Sequence, residues 1–208
     1  MVAASGSEPR TASAASDEEL MLRYRDLGDQ EAYDELVHRY ERELYSYLYR
    51  YLGDAGLAEE VFQTTFFRLH ESRRLFQEGK RLRPWLYTIA THQAIDALRK
   101  AGRQPWASLD RSQAPDEGGD DGSLLDLLEA ETPTPPVQAE NAEYRAWMRE
   151  AVNRLPEHLR SVVLLVYFQG LKYSEAAEIL GIRPGTVKSR LNAAIAKLNA
   201  ACKRWEAA

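Results

Sequence analysis

The sequence predicts an all-α fold in which two small helical domains are joined by a flexible acidic linker. Three observations predict it. Apolar residues recur at three- and four-residue steps over most of the chain, and no stretch alternates with period two for long enough to insist on a strand. Residues 102 to about 138 hold five of the nine prolines and clusters such as APDEGGDDGS and ETPTPP, the composition of a linker. Charge is segmented as well. Residues 17–67 carry 5 basic and 13 acidic side chains, 68–101 carry 8 and 3, 102–142 carry 2 and 9, and 143–208 carry 11 and 6. The net charge of −5 therefore hides two basic stretches, each a candidate footprint for phosphates. The boundaries that follow are a disordered leader at 1–16, a helical domain at 17–101, the linker at 102–139 and a second helical domain at 140–208.

The elements follow in order. Ser16 with Glu19 three residues on makes a capping box that opens a first helix at DEELMLRYRDLG. Asp29 caps a second, QEAYDELVHRYERELYSYLYRYLG, ended by Gly53, with Leu36, Tyr40, Leu44, Tyr47 and Tyr51 along one face. Helical spacing makes most tyrosines of this segment core residues rather than a stacking platform for RNA. The third helix, LAEEVFQTTFFRLHESRRLF, has Val61, Phe62, Thr65, Phe66 and Leu69 on its apolar side. After the loop QEGKRLR, Pro84 sits in the first turn of a fourth helix, PWLYTIATHQAIDALRKAG. Leu86, Ile89 and Ala90 around Trp85 place that ring in a core. The linker holds one candidate short helix, SLLDLLEA. Helices resume near Glu140, Pro156 starts PEHLRSVVLLVYFQG, and Ser174 is the expected cap of EAAEILG.

The stretch GIRPGTVKSRLNAAIAKL completes a helix-turn-helix. Ala177 is small where the two helices cross, Gly181 can take a positive φ in the turn, and Val187 locks the second helix onto the first. Val187, Leu191, Ile195 and Leu198 point inward at helical spacing. Thr186, Lys188, Ser189, Arg190 and Asn192 are left as candidates for contact with DNA. Lys188 and Arg190 suit phosphates, Ser189 and Asn192 suit base edges, and Ala193 offers only a methyl group.

Other classes are excluded by composition and motif. The chain has 208 residues, 44% of them apolar and 28% charged, as expected of a globular protein. It has no run of roughly 18 apolar residues and no secretory signal, so the expected location is cytoplasmic. Cys202 is the only cysteine, and His38, His70, His92 and His158 lack ligand spacing, so neither a disulfide nor a metal site is expected. DEGGDDGSLLDLLEAE lacks the ligand rhythm of a calcium loop. Phosphate-loop, dinucleotide, zinc-protease and nucleophile-elbow signatures are missing; no cofactor and no enzymatic activity are expected.

The segment LPEHLRSVVLLVYFQGLKYSEAAEILGIRPGTVKSRLNAAIAKL resembles region 4 of sigma-70-like initiation factors, and also the effector domain of LuxR-type regulators. The first half separates the two. Ala58, Glu59, Glu60, Gln63, Thr65, Phe66 and Arg68, then Trp85, Leu86, Ile89, Ala90, Asp96 and Arg99, resemble region 2 of the extracytoplasmic-function (group IV) sigma factors. The likeness covers 17–101 and 140–200. It implies four helices in each domain, no membrane span, a monomer when free, and partnership with the β′ and β subunits of core RNA polymerase, promoter DNA and an anti-sigma factor. It implies that Glu59, Glu60 and Gln63 meet a basic coiled coil of polymerase. It further implies that Lys80, Arg81, Arg83, His92, Asp96, Arg99 and Lys100 meet the −10 element, with loop residues 77–83 and the fourth helix capturing a flipped base. The second helix of the helix-turn-helix would read the −35 element. Thr64 replaces a usual glutamate and His92 a usual asparagine. The rival readings are a sigma mimic that titrates an anti-sigma factor and a dimeric LuxR-type regulator.

Overall fold

The computed structural model describes residues 15–102 and 142–206. The expected leader up to residue 14, nearly all of the linker and its SLLDLLEA helix lie outside the described residues. Within them the chain forms eight α-helices: α1 (Asp17–Leu27), α2 (Gln30–Leu52), α3 (Ala55–Ser72), α4 (Leu82–Lys100), α5 (Ala142–Asn153), α6 (Glu157–Val163), α7 (Tyr173–Leu180) and α8 (Pro184–Glu206). A 3₁₀ turn, Arg73–Leu75, ends α3, and a π-helical stretch, Leu164–Phe168, extends α6.

The caps show why the helices begin and end where they do. Ser16 and Glu19 satisfy each other's backbone N–H groups at the start of α1. Asp29 accepts from the Ala32 N–H at 3.1 Å and Asp54 from the Leu57 N–H at 3.0 Å, opening α2 and α3. Gly53 closes α2 at φ +70°, a left-handed conformation that costs a side-chain-bearing residue free energy.

The stripe expected on α2 is buried throughout, from Leu36 and Tyr40 to Leu44, Tyr47 and Tyr51. Against it pack Val61, Phe66 and Leu69 of α3 and Leu86, Tyr87 and Ala90 of α4. Tyr47 makes an edge-to-face contact with Tyr87 at 5.0 Å, and its hydroxyl shares a buried hydrogen bond of 2.8 Å with Thr91. Each fully buried leucine here contributes about 1.5–3 kcal/mol by leaving water. Trp85 is half-buried against Phe76, with ring centroids 5.3 Å apart, in keeping with its expected core role.

Two expected helix starts are corrected. Helix α4 begins at Leu82 rather than Pro84, so Arg83 belongs to the helix and not to the preceding loop. Helix α7 begins at Tyr173, so Ser174 lies inside it; the capping carboxylate is that of Glu175, which accepts from the Lys172 N–H at 2.9 Å. The π-helical stretch is a further feature that apolar spacing did not reveal. There the Gln169 N–H reaches back five residues to the Leu164 carbonyl at 3.1 Å.

The two helical units pack against each other. Helix α4 lies on α7, and α2 lies on the π-helical stretch. The junction is polar and specific. The Tyr87 hydroxyl donates to Gln169 Oε1 at 2.6 Å, and the Tyr51 hydroxyl donates to Glu157 Oε1 at 3.1 Å and lies 3.3 Å from Ser161 Oγ. Arg50 stacks its guanidinium 4.9 Å from the Phe168 ring centroid.

Candidate nucleic-acid interface

The helix-turn-helix is built as its residue types require. Gly181 turns the chain at φ +63°, and the Ile182 N–H closes the turn on the Ala177 carbonyl at 3.0 Å. Ala177 is buried at the crossing, and Val187 and Leu191 seat α8 on α7. With that face committed, Lys188, Ser189, Asn192 and Ala193 are exposed together. Thr186 is half-buried, and its carbonyl accepts from Ser189 Oγ at 3.1 Å, so the serine hydroxyl is occupied in this state. Arg190 is half-buried with its Nε shielded and lacking a hydrogen-bond partner. A donor left in that condition is costly until an acceptor arrives, and a phosphate oxygen is one.

The first unit presents two surfaces. On α3, Glu59, Glu60 and Gln63 are exposed, and Gln63 Nε2 donates to Glu59 Oε1 at 2.8 Å. Beside them opens a groove lined by the rings of Tyr24, Tyr33, Phe62, Phe66, Phe67 and His70, with Gln30, Asp34 and Gln63 supplying a polar side. Phe67 is 58% exposed at its rim. The sequence reading missed this groove, although Phe67 standing off the buried stripe was the available signal. Tyr24 and His70 hydrogen-bond across one end, tying α1 to α3. Burial, offset in part by Arg73, raises the Tyr24 phenol above its ordinary value, so it stays protonated near neutral pH.

On α4, His92, Asp96, Arg99 and Lys100 are all exposed, and Arg99 Nη1 pairs with Asp96 Oδ1 at 3.3 Å. His92, Asp96 and Arg99 follow one another at steps of four and three and so share one helix face. The preceding loop carries Lys80 and Arg81, both exposed. Arg83 stands apart from them: it is half-buried, 3.4 Å from Glu43 and 3.5 Å from Gln169 Oε1. Arg81 lies 3.7 Å from Glu175 of the helix-turn-helix. Two of the cations expected to meet DNA are therefore directed at the second helical unit. Among the described residues no group of three His, Cys, Asp or Glu side chains could hold a metal ion, and no helix is long and apolar enough to cross a membrane.

Known proteins are similar to this chain in sequence and in fold. Residues 36–104 match the family Sigma-70 region 2, and residues 145–198 match Sigma-70, region 4. The chain is 32% identical over 165 residues to the ECF RNA polymerase sigma factor SigW of Bacillus subtilis, covering 79% of this chain and 86% of that protein. It is 31% identical over 180 residues to the RNA polymerase sigma factor CarQ of Myxococcus xanthus, covering 86% and 92%. Among solved structures, CnrH in complex with the cytosolic domain of CnrY is similar in fold, with a TM-score of 0.62 and 22% identity over 90% of this chain and 97% of CnrH. So is the sigma factor RpoE of Bartonella quintana in complex with the anti-sigma factor NepR, with a TM-score of 0.57 and 22% identity over 82% and 96%.

Proposed function

The chain belongs to the extracytoplasmic-function sigma factors of the sigma-70 family, and from that premise we propose how its surfaces divide the work of initiation. As a sigma factor it binds core RNA polymerase and directs transcription initiation at chosen promoters. In the proposed division, Glu59, Glu60 and Gln63 meet a basic element of polymerase, where their shared exposure on α3 supplies negative charge. Helix α8 enters the major groove of the −35 element, with Lys188 and Arg190 on phosphates and Ser189 and Asn192 on base edges. Loop residues Gln77–Arg81, with His92 and Asp96, capture a base flipped out of the −10 element, while Arg99 and Lys100 hold its phosphates. Melting without ATP then rests on recapture, because an unstacked base costs a few kcal/mol that a pocket must return.

The observation that carries this reading is the open face of α8. Val187 and Leu191 are buried beneath it, and Lys188, Ser189 and Asn192 are exposed together above them, the serine hydroxyl resting on the Thr186 carbonyl. A mimic that only titrates an anti-sigma factor has no use for that face. A LuxR-type regulator needs a receiver of alternating strands and helices, and the elements between residues 17 and 100 are all helices instead.

Elements centred at −35 and −10 lie about 25 base pairs apart, or roughly 85 Å along the duplex. A compact body of this size is about 45 Å across. The packed arrangement therefore serves the free protein, and reading both elements requires the two helical units to separate. The place of action is the cytoplasm, where polymerase and DNA are. An anti-sigma factor is the expected antagonist, and the groove beside Phe67 suits an apolar segment of such a partner.

The test is run-off transcription with core polymerase, with and without the protein, on a pool of fragments from its own genome. Discrete new transcripts starting at a fixed distance from a shared two-part sequence are expected. Binding to core without any transcript would favour the mimic, and no binding to core would return α8 to an ordinary regulator.

A further inference from the structure

Helix α4 starts without a cap of its own. Arg81, at the N-cap position, makes no side-chain hydrogen bond to the first turn, although the helix is 19 residues long. The missing acceptor comes from a distant part of the chain: Glu18 Oε1 accepts from the Leu82 N–H at 3.1 Å. A carboxylate at that end is favoured twice, by the orphan N–H and by the helix dipole. The other end of the same loop is held by the same helix. Arg25 Nη1 donates to the Phe76 carbonyl at 2.7 Å, while its Nε and Nη2 are fixed on Asp26 at 2.6 and 2.8 Å. Glu18 and Arg25 are seven residues apart on α1, two turns along one face, which spaces them by about 10 Å.

Between these two anchors the loop is open. Phe76 and Leu82 are buried, and all five residues between them, Gln77 to Arg81, are exposed. The loop turns at Gly79, φ +80°, with the Lys80 N–H on the Gln77 carbonyl at 3.2 Å.

We propose that α1 is a two-point clamp on the base-capture loop, with Glu18 and Arg25 as positioning residues for −10 recognition. The proposal rests on the assignment of residues 77–81 to base capture. A loop free at one end must be ordered when the flipped base arrives, and that ordering opposes capture; a loop fixed at both ends is ordered beforehand. Both side chains are committed to the backbone at the loop's ends, so the clamp is expected to act on the capture step and leave the other contacts alone.

The experiment uses full-length protein with core polymerase and a promoter duplex carrying the fluorescent base 2-aminopurine at successive positions of the −10 element. Loss of one clamp hydrogen bond in Glu18→Ala is expected to slow the fluorescence rise about 5- to 10-fold. Glu18→Gln keeps an oxygen that can accept from Leu82 and is expected to stay within about 2-fold of the parent. Arg25→Ala is expected to resemble Glu18→Ala, and the double variant to lose less than the product of the two, because both ends hold one loop. Affinity for core and protection of the −35 element are expected to be unchanged in every variant.

Unchanged capture in Glu18→Ala and Arg25→Ala would overturn the clamp, as would a parallel loss of core and −35 binding, which marks a general folding defect. Lys80→Ala with Arg81→Ala separates the two claims. If that pair slows capture and the clamp variants do not, the loop assignment stands and the clamp falls. If it leaves capture unaltered, the loop assignment falls and takes the clamp with it.

Discussion

Removing the Tyr87 hydroxyl should open the free protein. In the packed state that hydroxyl donates to Gln169 Oε1 at 2.6 Å, inside a junction where Gln169 is buried. The nearest substitute donor is Arg83 Nη2 at 3.5 Å, too long to replace it. Tyr87→Phe therefore leaves a buried amide oxygen under-satisfied when the helical units are together and hydrated when they part. A neutral hydrogen bond of this kind contributes about 1–1.5 kcal/mol, which moves the packed-to-open ratio by about 5- to 10-fold. Burial, reinforced by the nearby Glu43 carboxylate, raises the Tyr87 phenol well above its ordinary value. It remains a donor throughout the neutral range, and the opening should not depend on pH there. The assay is energy transfer between dyes on Arg74→Cys and Lys197→Cys in a Cys202→Ser background, with Tyr49→Phe, an exposed tyrosine of α2, as the control. Tyr87→Phe should lower transfer in the free protein and tighten promoter binding by a similar factor, since the unpacked form is the competent one. Gln169→Ala should do the same, and adding it to Tyr87→Phe should bring little more. Transfer unchanged in both variants, with the helical circular dichroism signal intact, would refute the reasoning.

Other outcomes follow from single features. Lys188→Ala should weaken binding across promoters alike and reduce the log–log salt slope by about 1, whereas Asn192→Ala should change which −35 sequence is preferred; selection from a randomised −35 pool at two salt concentrations distinguishes them. Gly181→Ala should destabilise the protein by about 1–2 kcal/mol in urea titration, since φ is +63° and nothing lies within 4 Å of an added Cβ, leaving only backbone strain. The Asp29 carboxyl is held below its ordinary value by the Ala32 N–H and then by Arg23, so its stabilising contribution is present above the unfolded pKa and lost as pH falls through the folded one. Asp29→Asn keeps a capping oxygen and should flatten part of the acid limb of thermal stability below about pH 4, the ordinary aspartate range.

Local physics was legible in the sequence where it stays local. Ser16 with Glu19, Asp29 and Gly53 marked helix ends because each acts on its own first or last turn, and the α2 stripe was readable because burial there follows helical period. The helix-turn-helix was legible for the same reason: Ala177, Gly181 and Val187 have steric tasks at fixed offsets. The start of α4 was not, since its capping acceptor, Glu18, lies 64 residues away from Leu82. Ser174 misled because the Glu175 carboxylate reaches the Lys172 N–H and the helix starts two residues earlier than the serine suggests. Packing between the halves was also hidden. It depends on Gln169, a polar side chain carried inward at the end of a π-helical turn, and no periodicity announces such a residue. Arg83 read as a free cation for the same reason, because Glu43 and Gln169 approach it from two other elements.

Permanganate reactivity of promoter thymines tests the central claim most directly. Core polymerase, the protein and a promoter found by run-off are combined without nucleotides, so any melting is driven by binding alone. The account expects protection of the −35 element together with reactive thymines confined to the −10 region and the start site, and neither without the protein. A complex that protects the −35 element and binds core yet leaves every −10 thymine unreactive would contradict it.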